Sequence, residues 1–255
     1  MTKQVINYGK HPSQFVEAWF PENWSQDSAV VLLHGGWWRA KHDLHLMDEL
    51  AADLHQRGYL VWNVEYRRID GDDGGWPETL DDVLAAIHSL TSEPLQVNPS
   101  SIAVIGHSAG GHLALLAAKT ARLAAVVALA PITDLARCAA DGLGEGATPV
   151  FLEKAGLTKK VFEEASPLEQ APIRVPQLVV HGSDDVRVPL SHSKAYVSRA
   201  AGVGDNVELR EVQGGDHMFV LQPDHSYWAK ALEWLNDVTA DSAPVASAGQ
   251  GRPSL

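Results

Sequence analysis

Residues Gly106-His107-Ser108-Ala109-Gly110 form a G-x-S-x-G pattern between a short apolar run at 102–105 (IAVI) and an Ala/Leu-rich stretch at 112–121. A serine on such a strand-to-helix turn is held in a strained backbone conformation, with its hydroxyl exposed at the carboxyl edge of a sheet. The flanking glycines suit the turn because a side chain there would collide with the neighbouring strand or helix. The following helix aims its amino end, the positive end of the peptide dipole, at any oxyanion that develops beside the serine. The chemistry this arrangement allows is attack of a hydroxyl on an acyl carbonyl.

A serine hydroxyl is a feeble nucleophile unless a base and an orienting acid stand behind it. Two later segments can supply them. His181-Gly182-Ser183-Asp184-Asp185 follows an apolar run at 177–180 (QLVV) and brings a carboxylate, Asp184 or Asp185, onto a strand-end loop. Gly214-Gly215-Asp216-His217 follows 207–212 (VELREV) and brings an imidazole onto the next one. The order serine, acid, histidine is the one used with this kind of nucleophile turn. Asp216 neighbours the base in sequence, points away from it in most turns, and is read as a surface residue. The oxyanion needs two backbone donors. One is the N–H of Ala109, and the other comes from His34-Gly35-Gly36-Trp37, with Trp37 preferred and Gly36 as the alternative. His34 itself is expected to fix that loop by hydrogen bonding.

Several other residues invite chemistry and resolve into structure. The single cysteine, Cys138, has no histidine beside it and reads as a small buried apolar residue. His42 and His45 lack a third ligand at recognisable spacing, so no metal is expected. No phosphate-cradling G-x-x-x-x-G-K occurs, and no cofactor is expected. Trp38, Trp76, Met218 and Phe219 lie near the candidate centre in sequence and are expected to wall a substrate pocket for a small aromatic or acyl group. The acidic loop 70–75 (DGDDGG) could rim its entrance. Glu65 is the one carboxylate that could anchor a substrate amine, with pairing to Arg67 or Arg68 as the structural reading.

The elements that must position these groups follow a single rhythm. Short β-branched runs at 29–33, 59–64, 102–105, 124–130, 177–180 and 207–212 alternate with stretches of helical period at 44–57, 80–90, 112–121 and 224–238, which is the signature of parallel βαβ units. The expected fold class is α/β, with a mostly parallel central sheet, helices on both faces and a small cap insertion. Residues 133–172 are too long for a loop between two strands and are read as that cap. Residues 1–238 are expected to make one domain. The Ala/Ser/Gly/Pro tail 239–255 is expected to be disordered.

The chain has 255 residues, of which 45% are apolar, and 20 basic against 32 acidic side chains give a net charge of −12. Such a surface repels phosphate backbones and anionic lipid, so nucleic-acid and membrane partners are not expected. No apolar run reaches the length of a membrane span, and no signal-peptide pattern precedes residue 12. A cytoplasmic protein acting on a small ester or amide is expected, and the surface leaves room for a homodimer.

With these residues in view, the chain resembles the α/β-hydrolase superfamily, and within it the small esterases and arylformamidases (kynurenine formamidase-like enzymes). The matching stretches are HGGWW (34–38), NVEYR (63–67), GHSAGGHLAL (106–115), HGSDDVRVP (181–189) and GGDHMF (214–219). The resemblance implies a nucleophile at Ser108, a base at His217 and, by the spacing of HGxxDxxVP, an acid at Asp185. It places the oxyanion loop at Trp37 and Trp38. The chain departs from lipase-like members in carrying HGGW in place of HGGG. The implied activity is hydrolysis of a carboxylic ester or aryl formamide through an acyl-enzyme. The alternatives are a serine aminopeptidase or a catalytically silent binding protein on the same fold.

Overall fold

The computed structural model describes residues 3–22, 24, 29–92 and 94–241. Eight strands make one sheet: β1 (Lys3–Asn7), β2 (Phe15–Trp19), β3 (Ala29–Leu33), β4 (Leu60–Val64), β5 (Ile102–His107), β6 (Ala125–Leu129), β7 (Gln177–Gly182) and β8 (Val207–Val212). Their order across the sheet is β1-β2-β4-β3-β5-β6-β7-β8. The first two pairings, β1 with β2 and β2 with β4, are antiparallel, and all others are parallel. This is the α/β-hydrolase fold that the sequence led us to expect.

Strands β3 to β7 are buried along their whole length. That explains why they read as largely apolar runs, since both faces are covered by helices. Alternate residues feed two cores. Val31, Leu33, Trp62, Val64 and Val104 face one side, together with Leu113 and Tyr196. Val30, Leu32, Val61, Ile105 and Val180 face the other, against Leu50, Leu54, Trp228 and Leu235. The helices α1 (Asp48–Gln56), α2 (Glu78–Thr91), α3 (Ala109–Thr120), α8 (Leu190–Gly202) and α9 (Ser226–Asp241) supply these layers. By their core residues, α1 and α9 cover one face, and α2, α3 and α8 the other.

Three elements lay outside the expected set. β1 and β2 were not expected as strands. β2 (FVEAW) puts the carboxylate of Glu17 into a buried position, held by Lys3 Nζ at 2.7 Å, so it does not look apolar. α8 buries His192, Ser193, Tyr196 and Ala200, a face too polar to stand out by periodicity. The last helix continues to Asp241, so 239–241 are helical rather than disordered, and within it Thr239 Oγ1 donates to the Leu235 carbonyl at 2.9 Å. The rest of the tail expectation, 242–255, falls outside the described residues.

The segment between β6 and β7 folds into four short helices, α4 (Leu135–Ala140), α5 (Ala147–Leu152), α6 (Lys159–Glu164) and α7 (Pro167–Gln170), joined by 3₁₀ turns. It is pinned to the sheet layer at several points. The Phe151 ring stacks on Trp38 with centroids 4.2 Å apart. His112 Nε2 donates to the Ala165 carbonyl at 2.8 Å, and Lys119 Nζ donates to those of Gln170 and Pro172.

Candidate active site

Because β3 to β8 run parallel, their carboxyl ends and the loops leaving them lie along one edge. Three of these loops carry Ser108, Asp185 and His217. Ser108 sits at the β5–α3 junction with φ 53 and ψ −114, a backbone conformation that an L-residue adopts only under strain. The junction is tight enough to demand glycine. A Cβ on Gly106 would lie 2.2 Å from the Gly110 carbonyl oxygen, and one on Gly110 would lie 2.1 Å from that of Leu33. The turn is held from the sheet by Ser108 N–H donating to Leu129 O at 2.8 Å. Ser108 is 1% exposed, and its Oγ has no hydrogen-bond partner among the described residues.

Asp185 and His217 meet directly, with His217 Nδ1 2.6 Å from Asp185 Oδ2. The other oxygen, Oδ1, accepts the N–H groups of Arg187 and Val188 at 2.8 and 2.9 Å. Burial alone would raise the pKa of Asp185. The hydrogen bonds from His181 and His217, the His217 charge and the Val188 N–H outweigh it and hold the carboxyl well below the usual carboxylate range. Asp184, the rival acid, is exposed and accepts from its neighbour Ser183 at 2.7 Å. Asp216 accepts the N–H groups of Met218 and Phe219, a turn-capping role at the surface.

Two histidines that sequence reasoning did not assign touch this pair. His181 Nε2 is 3.1 Å from Asp185 Oδ2 and 2.8 Å from Val188 O, and its Nδ1 is 2.7 Å from Ser193 Oγ. His107 Nε2 donates to the backbone oxygen of His217 at 3.1 Å, and the two rings lie 4.7 Å apart. Burial, then the charge of His217, pushes His107 down to about 3, so it is a neutral fixture at ordinary pH. Both lay in plain sight in the motifs GHSAG and HGSDD. Only the fold shows which partners their rings reach.

The loop opposite Ser108 leaves β3 and is braced by the residues that follow β4. His34 bonds Gly35 O at 2.8 Å and Glu65 Oε1 at 3.2 Å, and stacks flat on Tyr66 with centroids 4.2 Å apart. Tyr66 Oη donates to His34 O at 2.6 Å. Arg68 donates to the His42 carbonyl at 2.6 Å and pairs with Glu65 and Asp72. Glu65 also accepts the N–H of Leu44 at 3.1 Å and is 2% exposed, so it is committed to the fold and offers no anchor to a substrate amine. Trp37 and Trp38 both take positive φ, 55 and 56, after Gly36 at 112. Among the described residues, no acceptor takes the N–H of Trp37 or of Ala109. The Trp37 ring lies over Gly144 of the cap, where a Cβ would come within 2.2 Å of it.

The expected pocket wall needs correction. Trp38 is fully buried between Phe151 and His112, with ring centroids 4.2 and 5.1 Å away, and is a core residue. Phe219, 5% exposed, packs on Gly182, Gly215 and Tyr227 in the core of the opposite face. Trp76 and Met218 are half-buried and lean on the two cores. Each of these placements follows from neighbours distant in sequence. Cys138 is buried, with its thiol pushed up to about 12 by burial and then by Asp134 and Asp141. Among the described residues, one group of potential metal ligands is close-set, Glu17, His45 and Asp48. Lys3 on Glu17 at 2.7 Å and the His45–Asp48 contact at 2.9 Å make it an ion-pair network.

Residues 18–199 match the model of the BD-FAE family. The chain belongs to the BD-FAE family. Among curated proteins, the chain is 29% identical over 248 residues to the esterase LipC of Mycobacterium tuberculosis, a match that takes in 86% of the chain and 60% of that protein. It is 24% identical to the probable carboxylic ester hydrolase LipM of the same organism, over 85% of the chain and 56% of that protein. The chain thus spans little more than half the length of these relatives. Among solved structures, a carbohydrate esterase from gut microbiota aligns with TM-score 0.80 at 19% identity, covering 94% of this chain and 97% of that one. A thermophilic esterase from Thermogutta terrifontis aligns with TM-score 0.75 at 22% identity, covering 97% and 95%. These likenesses place this BD-FAE member in the α/β-hydrolase fold. No described helix is long and apolar enough to cross a membrane.

Proposed function

We propose that the protein is a serine hydrolase that cleaves a carboxylic ester of a small substrate through an acyl-enzyme. The observation that carries the reading is the 2.6 Å bond between His217 Nδ1 and Asp185 Oδ2, set on the same sheet edge as a strained Ser108 whose Oγ is unpartnered. With Nδ1 given to the carboxylate, His217 keeps Nε2 for the serine proton. Ser108 Oγ adds to the ester carbonyl as His217 takes that proton, and the N–H groups of Ala109 and Trp37 hold the oxyanion. The imidazolium then gives its proton to the departing alcohol. A water molecule repeats the sequence, losing its proton to His217, and the acid leaves as Ser108 regains one.

Ester rather than formamide chemistry is supported by the names of the relatives, LipC and LipM, and by the esterases that share the fold. A fluorophosphonate probe should label the wild-type chain and not Ser108→Ala. On p-nitrophenyl esters of rising acyl length, Ser108→Ala should lose kcat on the order of 10⁴-fold or more. N-formylkynurenine and aminoacyl nitroanilides serve as comparison substrates. Undiminished ester turnover by Ser108→Ala would remove the proposal, and faster formamide than ester cleavage would redirect it.

A further inference from the structure

Two tryptophans stand where a tight turn would ordinarily carry small residues. Gly36 O accepts the Arg39 N–H at 3.0 Å, and the residues between them, Trp37 and Trp38, take φ 55 and 56. Positive φ at both central residues is the pattern of a type I′ turn, which Asn-Gly fills without strain and two bulky side chains do not. Strained backbone of this kind persists only where the surroundings over-determine it. Here the bracing comes from two sides. Among the residues after β4, the Ile69 N–H donates to Trp38 O at 2.7 Å, and Asp70 pairs with Arg39 at 3.1 Å. The other side is the insertion between β6 and β7. Phe151 stacks on Trp38, the Glu145 carbonyl accepts from Arg39 Nη2 at 3.1 Å, and Gly144 lies against the Trp37 ring.

The contact at Gly144 leaves no room for a side chain. A Cβ there would stand 2.2 Å from Trp37 Cδ2, and 2.5 and 2.6 Å from Cε3 and Cε2. These atoms are the near part of the indole, one or two bonds beyond Cγ. The ring can clear them only by turning about the torsions that join it to the strained turn, and Trp38 stands edge-on to it at 6.2 Å. The insertion reaches the ring through a left-handed stretch, with Gly144, Glu145 and Gly146 at φ 62, 54 and 74. Glu145 holds that conformation without being glycine, and its carbonyl is the one that Arg39 takes. Two strained turns, one on each side of the indole, therefore lock each other.

We propose that Gly144 is a positioning residue, which through the Trp37 indole fixes the turn whose Trp37 N–H serves the oxyanion. The proposal rests on the hydrolase reading above and names what holds its second donor. Gly142 supplies the control, since it lies at φ 64 in the same segment with nothing within 4 Å of an added Cβ. Alanine at either position bears left-handed strain, and only at 144 does it also meet the indole. With p-nitrophenyl acetate, Gly144→Ala should lower kcat about 10- to 100-fold with little change in KM, the scale of a misplaced oxyanion donor. Gly142→Ala should keep kcat within about 2-fold although it too loses Tm. Trp37→Gly keeps the backbone N–H, suits the turn and removes the indole. It should lower kcat about 10-fold, and in that background Gly144→Ala should cost less than about 2-fold more. Equal kcat for the two alanine variants, an effect carried by KM alone, or a Gly144→Ala loss that persists undiminished in the Trp37→Gly background would overturn the proposal and leave the hydrolase reading standing. Should Gly144→Ala not fold, Trp37→Gly decides, and an unchanged kcat overturns the proposal. If fluorophosphonate leaves Ser108 unlabelled, the hydrolase reading falls, and the contact is read without turnover. By NMR, the Trp37 amide resonance should then move with Gly144→Ala and stay with Gly142→Ala; a resonance unmoved by either overturns the contact as well.

Discussion

Asp185 is the most heavily engaged carboxylate of the site. With the Ser193 hydroxyl donating to His181 Nδ1, the Nε2–H of His181 is shared between Val188 O and Asp185 Oδ2, the same oxygen that faces His217. His181 therefore sets where Asp185 points and acts on His217 only through it. Replacing His181 by Asn should lower kcat by about 10- to 100-fold, the scale of a small misplacement of a catalytic group, while KM changes little. Steady-state kinetics normalised to fluorophosphonate-titrated sites would check this, and an unchanged kcat would refute it. Asp185→Asn should do more, on the order of 10⁴ in kcat, because the imidazole loses the acceptor that fixes its tautomer. Asp184→Asn should be nearly silent in the same assay, since that carboxylate touches only Ser183.

Helix α3 against β3 and β5 is the joint that presents Ser108. Gly110→Ala would drive a methyl into the Leu33 and His34 carbonyl oxygens, at 2.1 and 2.4 Å, both backbone atoms that cannot step aside. The cost should be about 1–3 kcal/mol or more, seen as a fall of several degrees in Tm with an accompanying loss of ester turnover. A melt indistinguishable from wild type would show that the joint yields. At this scale much was legible in advance. β3 to β7 announce themselves because burial on both faces leaves them mostly apolar, with polar residues such as Asn63, Gln177 and His181 the exceptions, and the G-x-S-x-G context placed Ser108 on its turn. The choice of Asp185 over Asp184 came from motif spacing, and the contact with His217 has that geometry. What stayed hidden depends on partners far along the chain. Trp38 looked like a pocket wall until Phe151 and His112 closed over it. α8 was unreadable because its buried stripe is His192, Ser193 and Tyr196, and β2 because Lys3 neutralises its buried Glu17.

Across the whole molecule, burial of neutral histidines ties folding to pH. Burial lowers His107 and His112 from the ordinary 6.5 to about 3 and about 4. In each case the folded value lies below the unfolded one, so the unfolded chain binds protons that the folded chain refuses. Their contribution is complete above about pH 6.5 and is lost as pH falls toward about 3 for His107 and about 4 for His112, by at most about 1.4 kcal/mol per unit per histidine. Tm should therefore decline as pH is lowered from 7 to about 5. His112→Gln, which can still donate to Ala165 O, should flatten that decline; parallel slopes would show that His112 is not responsible. A last consequence lies in how the acid and base loops are tied together. Ser183 N–H donates to Val212 O, Asp184 N–H to Gly215 O, and Gly214 N–H to Ser183 Oγ, while His107 clasps the His217 backbone from the nucleophile's own strand. Carboxylate and imidazole are thus welded into one block and moored to β5. On the proposed mechanism, the Ser108 hydroxyl, which turns about a single side-chain torsion, is then the member left to move against an acid and a base that are held as one body.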